Sequence, residues 1–252
     1  MAIIVSVHSF RGGTGKSNTT ANVAAVLAAR GQRVGVVDTD IQSPGIHILF
    51  GLAGDQITSA LNDYLWGDCE IGDAAQDVTP QGNGGADGRI FLIASSTKPG
   101  EISRALREGY DAQRLTRGFR RLVDELALDV LLIDTHPGLH EETLLSLVIS
   151  DTLLIVMRPD QQDYEGTGIT VRVAQGLEVP RMMLLVNKTP QALDRESVKA
   201  KVEAAYGCEV VSVMPHSDEL MTLASAGLFV LRYPGHPLTA LYQAVADRVS
   251  SD

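Results

Sequence analysis

Residues 3–30 restrict the fold of this chain more than any other stretch. A short apolar run, Ile3-Ile4-Val5-Ser6-Val7, leads into Phe10-Arg11-Gly12-Gly13-Thr14-Gly15-Lys16-Ser17, and an Ala-rich helical stretch follows from Asn18 to Arg30. A strand, a glycine turn and a helix in that order build an anion cradle. The glycines let backbone N–H groups turn inward, and the helix start adds the positive end of its dipole. The spacing lets Lys16 reach the β- and γ-phosphates of a nucleotide and offers the Ser17 hydroxyl to Mg²⁺. The contacts expected of the loop run through Gly12, Gly13, Thr14, Gly15, Lys16, Ser17 and Asn18. A dinucleotide-type G-x-G-x-x-G turn fits less well, because Asn18 stands where its third glycine belongs.

The 252 residues suffice for one large α/β domain, and residues 1–252 are read as a single unit. No apolar run approaches the roughly 20 residues that cross a bilayer, and the N-terminus enters a strand without a basic-then-apolar leader pattern. Cys69 and Cys208 are isolated, which gives neither a disulfide framework nor a C-x-x-C metal pair. A cytoplasmic location is the simplest expectation. The net charge of −10 opposes broad attraction to DNA or anionic lipid.

Short β-branched runs alternate with amphipathic stretches, the pattern of a doubly wound, mostly parallel sheet with helices on both faces. Strands are expected at 3–8, 33–38, 89–94, 129–134, 152–157, 181–187 and 209–213. Helices are expected at 16–30, 57–65, 111–127, 139–150, 162–177, 194–206, 217–227 and 237–250. The run from Gln81 to Gly88, rich in glycine, reads as a surface connector.

Two further strand ends carry carboxylates. Arg33-Val34-Gly35-Val36-Val37 ends at Asp38-Thr39-Asp40, which places two acids on one side of a fraying strand. Val130-Leu131-Leu132-Ile133 ends at Asp134, an apolar strand closed by an acid that reaches a metal through bound water. A third strand, Met182 to Val186, ends at Asn187-Lys188, where an amide can both donate to and accept from a base edge.

Taken together, these positions resemble the MinD/ParA ATPases, whose deviant Walker A loop reads K-G-G-x-G-K-[ST]. Here Phe10 takes the place of the first Walker A glycine and Arg11 that of the extra lysine. The resemblance runs nearly end to end. It implies a P-loop fold, ATP or ADP with Mg²⁺ as ligand, and a homodimer that sandwiches two nucleotides. By its pattern Asp40 orients the attacking water, Asp38 and Asp134 lie around the Mg²⁺ held by Ser17, and Asn187 reads adenine with Pro215 packed beside the base. Arg11 then reaches the partner's phosphates, as a guanidinium is able to do bidentately. Two other readings of Arg11 stay open at this point: a misfitting head that permits binding without turnover, and a plain ion pair with an acidic neighbour. The family usually has Asp-Thr-Pro-Pro-Gly where this chain has Asp134-Thr135-His136-Pro137-Gly138, so His136 adds a titratable group beside the γ-phosphate position. A loop role for it is the plainer expectation.

The resemblance also implies a partner-stimulated ATPase acting in cell division, partitioning or cargo positioning, with an activating or cargo protein that the sequence does not name. A regulator that senses nucleotide with little turnover is the alternative. A metal-cluster carrier fits less well for want of paired cysteines. The last helix has the apolar stripe Leu238, Leu241, Tyr242, Val245 and Val249 but only Arg248 as a basic residue, so it reads as core packing and not a direct membrane anchor. The candidate DNA face is Arg114, Arg117 and Arg121 on one side of a helix, within a wider group holding Arg104, Arg107 and Arg120. A solvated helix is the preferred reading of that face.

Overall fold

In the computed structural model, which describes residues 2–80 and 87–251, the strand runs read from the sequence become one eight-stranded sheet. The strands are β1 (Ile3–His8), β2 (Arg33–Asp38), β3 (Ala75–Asp77), β4 (Arg89–Ile93), β5 (Val130–Asp134), β6 (Thr152–Met157), β7 (Arg181–Thr189) and β8 (Glu209–Pro215). Their spatial order is β3-β4-β2-β5-β1-β6-β7-β8. Every neighbouring pair is parallel except β3 with β4. The central strands are apolar on both faces, as a sheet covered twice requires. In β5, Val130 and Leu132 face one core and Leu131 and Ile133 the other.

The main helices are α1 (Lys16–Ala29), α2 (Ile46–Leu49), α3 (Leu61–Trp66), α4 (Pro99–Glu108), α5 (Ala112–Glu125), α6 (Glu141–Ile149), α7 (Gln161–Gly176), α8 (Arg195–Tyr206), α9 (Asp218–Leu223), α10 (Phe229–Arg232) and α11 (Pro237–Val249). One face of the sheet packs on α1, α10 and α11; the other packs on α3 and α5 in one cluster and on α7 and α8 in a second. Helix α1 is buried almost all round, since it lies between the sheet and α11. Its Asn22 spends both ends of its amide inside the protein, donating to the Asn18 carbonyl at 2.8 Å and accepting from the Val230 N–H at 2.9 Å.

The seven expected strands and eight expected helices are all present, with boundary shifts of a few residues. The expected helix 57–65 starts only at Leu61, and the expected helix 217–227 stops at Leu223, where Ala224 turns left-handed at φ 48°. Strand β3 and helices α2, α4 and α10 lacked a legible pattern. Ala-Gln-Asp in β3 is too short and polar to alternate, and the apolar side of α4 is only Ile102, Ala105 and Leu106, none of them fully buried. Of the glycine-rich connector read at 81–88, residues 81–86 lie outside the described residues. The stripe of α11 is core: Leu238, Tyr242, Val245 and Val249 are all within 2 % of full burial. No described helix is long and apolar enough to cross a membrane.

Candidate nucleotide site

Because β2, β5, β1, β6 and β7 run parallel side by side, their C-terminal tips carry the motif residues to one edge of the sheet. The glycine loop lies between β1 and α1. Gly13 and Gly15 sit at φ 80° and 98°, the left-handed region where a side chain is strained. A cleft of about 260 Å³ opens there, lined by Gly12, Gly13, Thr14, Gly15, Lys16, Ser17 and Asn18 together with Asp40, Pro137 and Lys188.

Of the three acids, Asp40 lines this cleft, and Asp38 and Asp134 lie buried behind it, bonded to the Asp40 N–H and to Lys16. In the register of β2 and β5, Asp38 stands opposite Asp134, and both are 1 % exposed. Asp134 accepts from Lys16 Nζ at 2.8 Å and from Thr20 Oγ1 at 3.3 Å. Asp38 accepts from the N–H of Asp40 at 3.0 Å and of Gly45 at 3.3 Å. Burial, and then the charge of Asp134, push the Asp38 carboxyl up to about 7. Asp40 accepts from the Ser43 N–H at 3.0 Å. Burial raises its pKa too, while His136 and Lys16 pull it back. Two buried facing carboxylates with only the Lys16 ammonium between them are under-neutralised, so the donor set of Asp38, Asp134 and the Ser17 hydroxyl fits a hard divalent cation. Below them His8, wholly buried, gives its Nδ1–H to Thr135 Oγ1 at 2.7 Å, while the Thr135 hydroxyl donates to the Val7 carbonyl. Burial and then Lys16 hold this imidazole neutral, with its pKa down at about 3.

Asn187 lies against the loop itself. Its Nδ2 donates to the Thr14 carbonyl at 2.8 Å, its Oδ1 accepts from the Lys188 N–H, and it is 3 % exposed. Pro215 ends β8 beside Thr189 at the same sheet edge. Ser17 and Asn18 are half-buried on the cleft wall.

Arg11 is held within its own chain. Its guanidinium pairs with Asp160 and Asp163 and donates to Gln162 Oε1 at 2.5 Å. Asp163 is buried in the first turn of α7, and Asp160 caps that helix by accepting the Asp163 N–H. Arg158 backs the same acids: its N–H donates to Asp163 at 2.7 Å, and its Nε lies 3.2 Å from Asp160.

Several contributors escaped the reading of the sequence. Lys188, at φ 54°, donates from Nζ to the Gly13 carbonyl at 2.8 Å. Phe10 fills the space over Gly166 in α7, where an added Cβ would come within 2.0 Å of its ring. The Asp160-x-x-Asp163 helix start was the one available sign of the anchor for Arg11. The arginine face carries its own counter-ions: Arg117 pairs with Asp111 at 2.9 Å, Arg121 with Glu70 and Glu125, and Arg114 lies over the Tyr64 ring. Cys69 and Cys208 sit in different apolar clusters.

A family model described as an AAA domain matches residues 2–178. An uncharacterized ATP-binding protein of Methanocaldococcus jannaschii is 27 % identical over 250 residues, 99 % of this chain and 88 % of that protein. The septum site-determining protein MinD of Helicobacter pylori is 24 % identical, over 99 % of this chain and 91 % of its own. The MinD of Pyrococcus horikoshii OT3, solved in complex with Mg-ADP, superposes with a TM-score of 0.82 at 19 % identity, covering 99 % of this chain and 96 % of that one.

Proposed function

Since this chain belongs to the MinD/ParA family of P-loop ATPases, we propose that residues 1–252 form a Mg²⁺-dependent ATP switch that dimerises around two nucleotides. It hydrolyses ATP slowly, responds to a protein partner, and thereby positions or regulates a cellular assembly. The observation that carries this reading is the convergence of Asp38, Asp40 and Asp134 on a loop with two left-handed glycines and Lys16.

In this reading the loop N–H groups and the α1 dipole hold the phosphates, and Lys16 leaves Asp134 for the β- and γ-oxygens. Mg²⁺, when bound by Ser17, Asp38 and Asp134, supplies charge that neutralises those oxygens. Asp40 accepts a hydrogen bond from the attacking water, and placement with electrostatics does most of the work. Asn187 keeps the loop closed through Thr14, and its remaining N–H, with Pro215 nearby, serves the adenine. Replacing Asp40 with Ala should leave ATP affinity within a few-fold by calorimetry and slow single-turnover hydrolysis by about 100-fold or more. Retention of the wild-type hydrolysis rate would remove Asp40 from the mechanism.

Arg11 acts across the dimer in this proposal, which requires it to leave Asp160 and Asp163. Arg158 makes that exchange affordable in electrostatic terms, because Asp163 keeps its bond to the Arg158 N–H and a guanidinium 3.7 Å away. Arg11→Ala is expected to abolish ATP-dependent dimers in light scattering while sparing monomer affinity for ATP. Unchanged dimerisation would confine Arg11 to its intrachain pair. That pair, with Lys16 resting on Asp134, favours the second reading, a nucleotide-sensing regulator with little turnover. ATP hydrolysis by the wild type with and without candidate partners separates the two.

A further inference from the structure

We propose that Lys188 is a positioning residue of the phosphate cradle, an ammonium that holds the loop backbone turned so that the N–H groups of Thr14 and Gly15 face the anion. The inference rests on the nucleotide-binding part of the function proposed above and gives Lys188 a task within it.

Two consecutive carbonyls of the loop are tied to the tip of β7. Lys188 Nζ donates to the Gly13 carbonyl and Asn187 Nδ2 to the Thr14 carbonyl, each at 2.8 Å. In a trans peptide the C=O and the N–H of the following residue point in opposite directions across one rigid plane. Holding the Gly13 oxygen toward β7 therefore aims the Thr14 N–H away from it. Holding the Thr14 oxygen does the same for the Gly15 N–H. Among the described residues neither N–H has a partner. Both residues line the cleft with Lys16 and Ser17, so the two donors are set for an anion there. The Thr14 hydroxyl is buried in the same place and has no partner either.

The backbone of β7 is bent in a way that permits this brace. Successive side chains of a strand point to opposite faces, which would send Lys188 away from the loop that Asn187 touches. Lys188 instead turns left-handed at φ 54°, and the pairing of β7 with β8 slips between Val186 and Thr189. A lysine in that conformation persists only where its surroundings over-determine it. Here Asn187 Oδ1 accepts the Lys188 N–H at 2.8 Å, while the ammonium is spent on the loop. Among the described residues that ammonium has no carboxylate partner. Donors oriented before the ligand arrives lose little freedom when it binds.

The test uses the full chain and compares the wild type with Lys188→Met, which keeps the stem without a donor, and Lys188→Arg, which keeps a donor. Calorimetry measures the affinity for ATP and for inorganic triphosphate, a ligand with no base, each with Mg²⁺. Lys188→Met should lose about tenfold or more for both, as expected of one hydrogen bond from a charged group, at an unchanged melting temperature. Lys188→Arg should stay within about threefold of the wild type. In the nucleotide-free protein, the Thr14 amide nitrogen-15 resonance senses the bond at the Gly13 carbonyl. It should move in Lys188→Met while the amides of Val5 and Val7 stay in place. Wild-type affinity for triphosphate in Lys188→Met overturns the proposal, and a loss confined to ATP marks a contact with the base instead. An unmoved Thr14 resonance overturns it too, because the ammonium then acts by charge alone. So does an equal loss in both variants at a lower melting temperature, which marks a structural role. A wild type that binds neither ligand refutes the nucleotide reading itself, and the brace falls with it.

Discussion

Asp38→Asn is expected to melt higher than the wild type in the absence of nucleotide and yet to hydrolyse no ATP. Asp38 is 1 % exposed and faces Asp134, so its folded-state carboxyl is pushed up to about 7 from an ordinary 3.8. A group whose folded pKa is raised favours folding while protonated. Its charge therefore costs nothing below pH 3.8, and the cost grows as pH rises to about 7, where it levels off. At about 1.4 kcal/mol per unit of displacement, the cost at neutral pH is a few kcal/mol. Asparagine carries no charge but keeps one oxygen for the N–H of Asp40 or Gly45, losing a bond worth about 1 kcal/mol. A net gain of about 1–3 kcal/mol should raise Tm by roughly 5 °C in a chain of this size. Thermal unfolding at pH 7 and at pH 4 checks the sign, because the advantage should be present at the first and nearly gone at the second. The His8 contribution runs the other way, being lost as pH falls from 6.5 toward about 3, but it is common to both proteins and cancels in the difference. A variant that melts lower than the wild type at pH 7 would refute the account of the acidic pair. The loss of activity is expected from the metal role proposed for Asp38, since a neutral amide would take the place of an anionic ligand.

The second large effect concerns the loop backbone. At Gly15, φ is 98° and a Cβ would lie 2.3 Å from Asn187 Nδ2. Left-handed backbone costs an alanine about 1–2 kcal/mol, and Asn187 has nowhere to retreat while it is bonded to Thr14 and almost fully buried. Gly15→Ala should therefore open the loop and weaken ATP binding by at least about 100-fold, equivalent to about 2.7 kcal/mol. Circular dichroism should stay that of a folded protein. Gly12 supplies the control: it lacks a positive φ, and an added Cβ there meets nothing within 4 Å, so Gly12→Ala should lose less than about tenfold. Equal affinities for ATP in Gly15→Ala and the wild type would show that the turn does not grip the nucleotide.

Elements with apolar runs were legible in the sequence, and elements held by their neighbours were not. Val130–Asp134 is buried along its whole length, so composition alone marks it as a central parallel strand. Strand β3 exists because β4 offers it an edge, and α4, opened by Pro99, is only half-buried through Ala105 against the core. The same division holds at the site. The glycine loop, Asp38, Asp40, Asp134 and Lys16 announced themselves through strand-end position and spacing, and the fold brings them together. The pairing of Arg11 with Asp163 spans 152 positions, and the approach of His136 to Asp40 depends on two loops meeting over the sheet edge. Residue type suggested that these side chains were reactive; only tertiary structure names their partners. Asn187 shows the limit plainly, since a strand-end amide read for the base also bonds the Thr14 carbonyl, a contact across 173 positions that no local pattern marks.

The burial of α1 on all sides has a consequence for how any signal leaves the site. A rod wedged between the sheet and α11, and pinned through Asn22 to the segment before its last turns of chain, is a fixed anvil. In the proposed switch, a response to nucleotide is therefore expected in the loops that follow β2 and β5 and not in this helix. The loop after β2 carries Asp40, so the proposed chemistry and the message would share a residue.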